Sequence, residues 1–529
     1  MVMTIPKWDV PVRLTPKEKT IRKYFQRTRK LYAFLRDHRH ELIDGDLQRE
    51  LEETYRDTGA GREPKPPAML AIATIIQAYE RVSDARAVQL SALDKGWQMV
   101  LGNLGSDEPA FSQGALFEFR EKLIANDLDK RLLARTANIA RSTKGFDAKK
   151  LPKTLRVAVD SSPLAGAGRV EDTINLIGHA ARKVVDCVAA MLEVEFEQVC
   201  RQAGIPLLLE TSVKKALDRD WSDAEQKAEA VNILARQVLS LERWLNRHLA
   251  DEASKPPLET LLAVLDRLIA QDLEPDPDGD GVRIVDGTAE DRQISVEDPE
   301  MRHGRKSKSK RIDGYKRHVA TDLDRKAIVA AALTPANQPE HEALPLLKAD
   351  IDAQGIHIVE AHFDRAYMAS PAVQEIRDAG GDILCKPWKT KNGDLFAKEA
   401  FDIDLRARSI TCPGGITVPI VFGKSAEFPP RACDDCSLRK QCTTATQGKG
   451  RTVSIAEDEP LQHKLRKLAK TKKGREIFRE RVPVEHSLAH IGYRQGSRAR
   501  YLGTRKNEFD LRRAAAIQNL EIAQRRKAA

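Results

Sequence analysis

The sequence predicts an α/β fold: a mixed-sheet core preceded by an all-helical region. Three observations carry this expectation. Two apolar, β-branched runs, Thr154–Asp160 and Ile356–Asp364, have the composition of strands and each ends in an aspartate. From Gly314 to Pro387 strand-like and helix-like patterns alternate, with turn residues between them. Residues 10 to about 145 show helical patterning alone.

Taken in order, Pro67–Tyr79 reads as a helix with proline at its start, where a missing N–H costs little. Ser83 and Ser112 open the next two helices, Ser112 as an N-cap. Short helices with tight connections suit a helix-turn-helix DNA reader and an ordinary bundle equally. Lys153–Ser162 is the first strand. Residues 171 to about 270 return to helix, and Asp272–Gly281 reads as an acidic linker that lacks the terminal glutamate of a calcium loop. Gly314–Asp322 and Lys326–Leu333 form a hairpin about the turn Asp322–Arg325. A helix over Glu340–Gln354, the strand ending at Asp364, a helix over Ser370–Ala379 stopped by Gly380-Gly381, and a strand from Asp382 complete the series. This order is that of an RNase H-like core with a helical insertion after its first strand. In that topology the first and fourth strands are neighbours, so Asp160 and Asp364 are expected to meet despite 204 positions between them. The expected organisation is a helical DNA-binding domain over 1–150 and an RNase H-like catalytic domain over 151–529. The second is interrupted by a helical insertion over 165–300 and a cysteine-rich zinc-binding insert over 390–455.

The formal charge of +10 and pI near 9.1 favour a polyanionic partner, and the excess is clustered. Leu461–Ala529 carries 19 Lys/Arg against 6 Asp/Glu, a local net of +13, and Arg302–Arg311 is a second basic cluster. This is the footprint of nucleic-acid binding. No apolar run is long enough to span a bilayer and the N-terminus lacks the apolar core of a signal peptide, so a cytoplasmic, nucleoid-associated protein without membrane contact is expected. Seven cysteines, an odd number, favour metal ligation or burial over disulfides.

The candidate chemistry follows from three carboxylates in order. Asp160 and Asp364 end strands, and Glu485 follows in a basic, helix-like stretch. Oxygen donors of this kind hold Mg²⁺ or Mn²⁺, and two such ions roughly 3.5–4 Å apart can activate a nucleophile and stabilise a leaving oxygen in phosphodiester chemistry. Asp160, on the central strand, is the candidate bridge. Phe478, Arg481 and Glu485 fall on one face if the stretch is a single helix, so Arg481 either reaches a DNA phosphate or holds Glu485, and Pro483 marks a start or kink. His362 shares a strand face with Asp364, as a ligand, an acid–base group or, by preference, a packed histidine. Cys412, Cys433, Cys436 and Cys442, spaced Cys-x20-Cys-x2-Cys-x5-Cys, suit a closed structural Zn²⁺ site. Arg494, Arg498, Arg500, Arg505 and Lys506 follow Glu485 and are expected to line the DNA path to the metals.

These residues resemble the DDE transposases of bacterial insertion sequences. The match runs through Val157–Ser162, Gly314-Tyr-Lys-Arg-His318, Asp364-Arg-Ala-Tyr367, Phe478-x-x-Arg481-x-x-x-Glu485, Arg500–Gly503 and Ala514–Asn519. Phe478 stands where the signature has tyrosine, and Gly492 where related signatures carry lysine. The resemblance implies metal-dependent cleavage at the ends of an element and strand transfer into target DNA, by a homodimer on double-stranded DNA. A nuclease without strand transfer, and a non-catalytic DNA-binding derivative of a transposase, are the alternatives.

Overall fold

Pro67 occupies the first turn of a buried helix, α1 (Pro67–Glu80), which ends where Arg81 takes a left-handed conformation (φ 57°). Ser83 and Ser112 cap the helices that follow, accepting from Arg86 N and Ala115 N. The first region ends with α2 (Leu128–Arg141). In the computed structural model the described residues are 5–528 apart from 56–63, 143–150, 278, 307–308, 389 and 391. Two members of the basic cluster, Ser307 and Lys308, therefore lie outside the described residues.

A mixed α/β unit with a curled sheet follows. Its strands are β1 (Thr154–Ala165), β2 (Arg302–Arg305), β3 (Arg311–Asp322), β4 (Ile328–Pro335), β5 (His357–His362) and β6 (Asp382–Leu384). β3 pairs antiparallel with both β1 and β4, while β1 pairs parallel with β5 and β5 with β6. The short β2 pairs with the start of β3. Helices α3 (Ala343–Asp352) and α4 (Pro371–Asp378) connect β4 to β5 and β5 to β6. Leu155, Val157 and Val159 of β1 join Leu347 of α3 and Ile376 of α4 in one apolar cluster. Ala158 joins a second cluster with Val484, Leu488 and Ile491 of α5 (Val482–Gln495) and Leu511 and Ala515 of α6 (Thr504–Ala528). The sheet is covered on both faces, as near-continuous apolar strands require.

Between β1 and β2 lie the helices Thr173–Leu192, Ala224–His248 and Leu258–Asp272, packed about a core of their own that includes Val184, Leu234 and Leu265. The segment expected as a linker is instead ordered about a β-ribbon, Leu273–Pro275 with Val282–Ile284. Its buried Asp272 accepts from Arg292 Nε at 2.7 Å. Short strands over 402–454 form a three-stranded and a two-stranded sheet around Ile410, Phe428 and Val453.

The helical N-terminal region shares its interior with the end of the chain. Phe509, Ile517, Leu520 and Ala523 of α6 belong to the same apolar cluster as Leu70 and Ile72 of α1. Asn519 pairs with the backbone of Ile328 in both directions, at 2.7 and 2.8 Å, and also reaches Thr136 on α2. The buried ion pair Arg141–Asp322, at 2.8 Å, ties α2 to the end of β3.

Candidate active site

Strand register sets the first two carboxylates. Arg156 on β1 is opposite Glu360 on β5, and Ala158 is opposite His362. Side chains two residues apart share a face, so Asp160 and position 364, two residues beyond β5, continue the same row. Asp364 leaves the strand as the cap of a single turn, Arg365–Tyr367, and accepts from Arg365 N at 3.1 Å. Ala158 packs in the cluster that contains Val484 and Leu488, so α5 lies over the face that bears Asp160. The stripe Val484, Leu488, Ile491 buries one side of α5 and leaves Glu485, in its first turn, 59 % exposed. An acid in the first turn also suits the helix dipole.

The start or kink expected at Pro483 is a helix start, so Phe478 and Glu485 do not share one helix. α5 begins at Val482 with Pro483 in its first turn, and the preceding helix, Lys472–Ile477, has already ended. Proline lacks the N–H that continuation of that helix would need. Phe478 is buried in the apolar cluster that contains Leu461 and Leu465, where a hydroxyl would need a partner.

Arg481, at the head of α5, faces all three carboxylates. Its guanidinium lies 2.9 Å from Asp160, 3.6 Å from Asp364 and 3.9 Å from Glu485. Asp160 is 17 % exposed and also accepts from Ser161 N at 2.8 Å, while Asp364 is half exposed. Arg481 Nε is buried and has no hydrogen-bond partner. The three acids thus surround one cation, open to solvent on the side of Asp364 and Glu485.

A buried polar floor lies under this row. His318 pairs with Tyr367 Oη at 2.8 Å and with Thr334 Oγ1 at 3.0 Å. It is fully buried, and burial pushes its pKa down to about 3, so the ring is neutral. Burial likewise raises the Tyr367 phenol, with Glu340 and Asp160 adding to the effect. Ser161 Oγ donates to Glu340 at 2.7 Å. The motifs at His318 and Tyr367 therefore meet through a hydrogen bond; Glu340 and Thr334 belong to the same floor and carry no sequence signal beyond a helix start and a strand residue.

Below Asp364 on the same row, His362 is buried and bonded to Glu360 at 2.7 Å, a packed histidine. Glu360, His362 and Glu480 bring ligand atoms within 4.8 Å of one another, the one such group among the described residues. Arg156 already bridges it, bonding Glu360 at 2.7 Å and also Glu480. Glu480 adjoins Arg481, so this bridge fixes the backbone that carries the central guanidinium.

Tyr315 donates to Asp298, which also accepts from Gly503 N at 3.1 Å, linking β3 to the segment around Arg500. Of the five basic residues expected along the DNA path, Arg505 is bound by Asp127 and Asp129, Lys506 by Glu121 and Arg494 by Glu521. Arg498 and Arg500 are exposed.

The cysteines Cys412, Cys433, Cys436 and Cys442 are free thiols that line one cavity of about 330 Å³. Cys412 Sγ accepts from Ile416 N and Cys433 Sγ from Arg451 N, each at 3.4 Å. Gly414 allows close approach: a Cβ there would lie 3.1 Å from Cys436 Sγ and 3.7 Å from Cys412 Sγ. No three of the sulfurs close to within 4.8 Å of one another. Burial raises the Cys442 thiol, and the other three thiols add to this.

A family model described as a transposase DDE domain matches residues 411–522, and one described as a transposase domain (DUF772) matches residues 22–122. No curated protein and no solved structure matches the chain. The two matches support an insertion-sequence DDE transposase, a class that implies DNA binding and use of a divalent metal. The DDE match includes Glu485 and the four cysteines; Asp160 and Asp364 precede it. Among the described residues no helix is long and apolar enough to cross a membrane.

Proposed function

We propose that the protein cuts DNA at the ends of an insertion sequence and joins the freed 3′ hydroxyl to target DNA, at a site formed by Asp160, Asp364 and Glu485 on an RNase H-like core. The observation that carries this reading is the convergence of the three carboxylates on the single guanidinium of Arg481. The sheet order, with β1 between β3 and β5, supports the choice of core.

The donor set fits a divalent cation. It consists of carboxylate oxygens alone, two of the three side chains are half exposed, and together they already enclose a positive charge. Asp160, Asp364 and Glu485 would hold Mg²⁺ or Mn²⁺, which supplies Lewis-acid activation of the attacking and leaving oxygens. Arg481, with one buried N–H unsatisfied, would exchange carboxylate for phosphate when DNA enters, since guanidinium pairs with either in bidentate fashion. Glu340, Ser161, Tyr367 and His318 would keep Asp160 in place from beneath. The thiols of Cys412, Cys433, Cys436 and Cys442 would hold a structural Zn²⁺ that fixes the 402–454 unit ahead of Glu485.

The test is to incubate the purified protein with Mg²⁺ and labelled DNA taken from both flanks of its coding region, with an unlabelled target. Cut ends together with joined products are expected. Cuts without joining would make the protein a nuclease; binding without either product, in Mg²⁺ and in Mn²⁺, would make it a non-catalytic DNA-binding protein.

A further inference from the structure

A second cation-lined cavity lies away from the carboxylates, where the N-terminal helical region meets the C-terminal part of the chain. It measures about 320 Å³, and arginines from both parts line it: Arg81 after α1, Arg494 near the end of α5, and Arg498 and Arg500 just beyond. Two reciprocal contacts clasp its walls. Arg81 stacks over the Tyr493 ring at 4.5 Å, and Arg494 over the Tyr79 ring at 5.1 Å. Below it, the buried Arg317 bonds Gly496 O and Pro163 O, anchoring the turn after α5 to β1.

The charge of this cavity is only partly balanced. Arg494 is held by Glu521, and Asp510 is taken up by Arg513 at 2.6 Å. Arg81, Arg498 and Arg500 have no ion-pair partner among the described residues; Arg498 donates to Ala167 O at 3.0 Å, and Arg500 acts at longer range on Asp84, which Arg120 already bridges. Three exposed arginines that line one cavity without a counter-ion repel one another, a cost that an anion with several oxygens removes.

We propose that this cavity is a phosphate subsite for the backbone of duplex DNA, shared between the N-terminal helical region and the segment after Glu485. The proposal rests on the reading of the protein as acting on DNA. Two routes through the fold give its distance from the carboxylates. Along α5, Arg494 lies nine residues after Glu485, roughly 14 Å at helical rise. Along β1, Ala165 lies five residues after Asp160, roughly 17 Å at strand rise, and its backbone is bonded to Ser497 and Ala499 on either side of Arg498. With one phosphate per ~3.4 Å of axis on each strand, the subsite takes a phosphate ~4–5 base pairs from the scissile one.

The test uses the full chain, the double variant R81Q/R500Q and the charge-preserving R81K/R500K. Affinity for a fluorescent duplex of arbitrary sequence is measured across a range of salt concentrations. The Gln variant should bind about tenfold more weakly, as expected for one lost charge-assisted contact, and its log–log salt slope should fall by ~1. The Lys variant should retain most of both. On a duplex cut by the protein, one neutral methylphosphonate should weaken wild-type binding when placed ~4–5 base pairs from the cut, and that penalty should vanish in the Gln variant. Wild-type affinity and slope in the Gln variant would overturn the subsite alone. A wild-type protein that binds no duplex would overturn the subsite and the proposed function together.

Discussion

Arg481 sets the charge balance at the mouth of the site: three carboxylates face one guanidinium, so the set carries a net negative charge that a further cation would neutralise. Arg481→Ala leaves three uncompensated acids. Without DNA, Mn²⁺ binding followed by its paramagnetic resonance signal should tighten, while cleavage falls because the phosphate loses its partner; unchanged Mn²⁺ affinity would show that Arg481 does not compete for the carboxylates. His318 supplies a second test at this scale. Burial holds its folded pKa near 3, against about 6.5 in an unfolded chain. Between those values the unfolded state binds the extra proton, so stability is lost as pH falls from about 6.5 towards 3. His318→Gln should lower the melting temperature at pH 8 and flatten its decline in acid; an equally steep decline would remove His318 as the source. The carboxylates and Arg481 were legible in the sequence because strand ends and a helix start carry them. Glu340 and Thr334 were not, because their role comes from side chains that meet only after β1, β3 and the turn at Tyr367 have packed.

At the scale of elements, the helical and strand periods marked α1, β1, β3, β4 and β5 directly, and the proline at 483 marked the start of α5. One segment departs from its expected structure for a physical reason. The acidic stretch after Asp272 looked like a linker because its charges are conspicuous, yet the hairpin pairing of Leu273–Pro275 with Val282–Ile284 and the Asp272–Arg292 pair order it. The cysteine unit has a small apolar core and short strands, and units of this size usually need a metal or disulfides to hold them. Metal analysis should find about one zinc per chain, with Zn–S distances of about 2.3 Å by X-ray absorption. Cys436→Ser should lose the metal and open 402–454 to proteolysis; a metal-free protein equally resistant to protease would exclude the site.

Across the whole molecule, the boundary expected near residue 150 does not separate two independent cores. α6 contributes Phe509, Ile517, Leu520 and Ala523 to the N-terminal apolar cluster, and Arg512 reaches Asp129 at 3.0 Å across the same interface. Each buried Leu, Ile or Phe contributes about 1.5–3 kcal/mol. Removing residues 1–145 would expose that surface and leave Asp322 buried without Arg141, so the remaining chain should be aggregated or unfolded by size-exclusion chromatography and circular dichroism. A monomeric, folded fragment would show that the regions are separable. Sequence periodicity could not reveal this interlock, since it reports which residues are buried and not which distant helix buries them.

The central claim is that Asp160, Asp364 and Glu485 act as one centre on DNA. Its most direct test is single-turnover cleavage of DNA from the flanks of the coding region in Mg²⁺, comparing wild type with D160N, D364N and E485Q at protein concentrations that saturate binding. Each variant should bind the duplex, and each should lose cleavage by on the order of a thousandfold or more, with no further loss when two substitutions are combined, as groups acting as a unit behave. Cleavage at the wild-type rate by any one of the three would contradict the account.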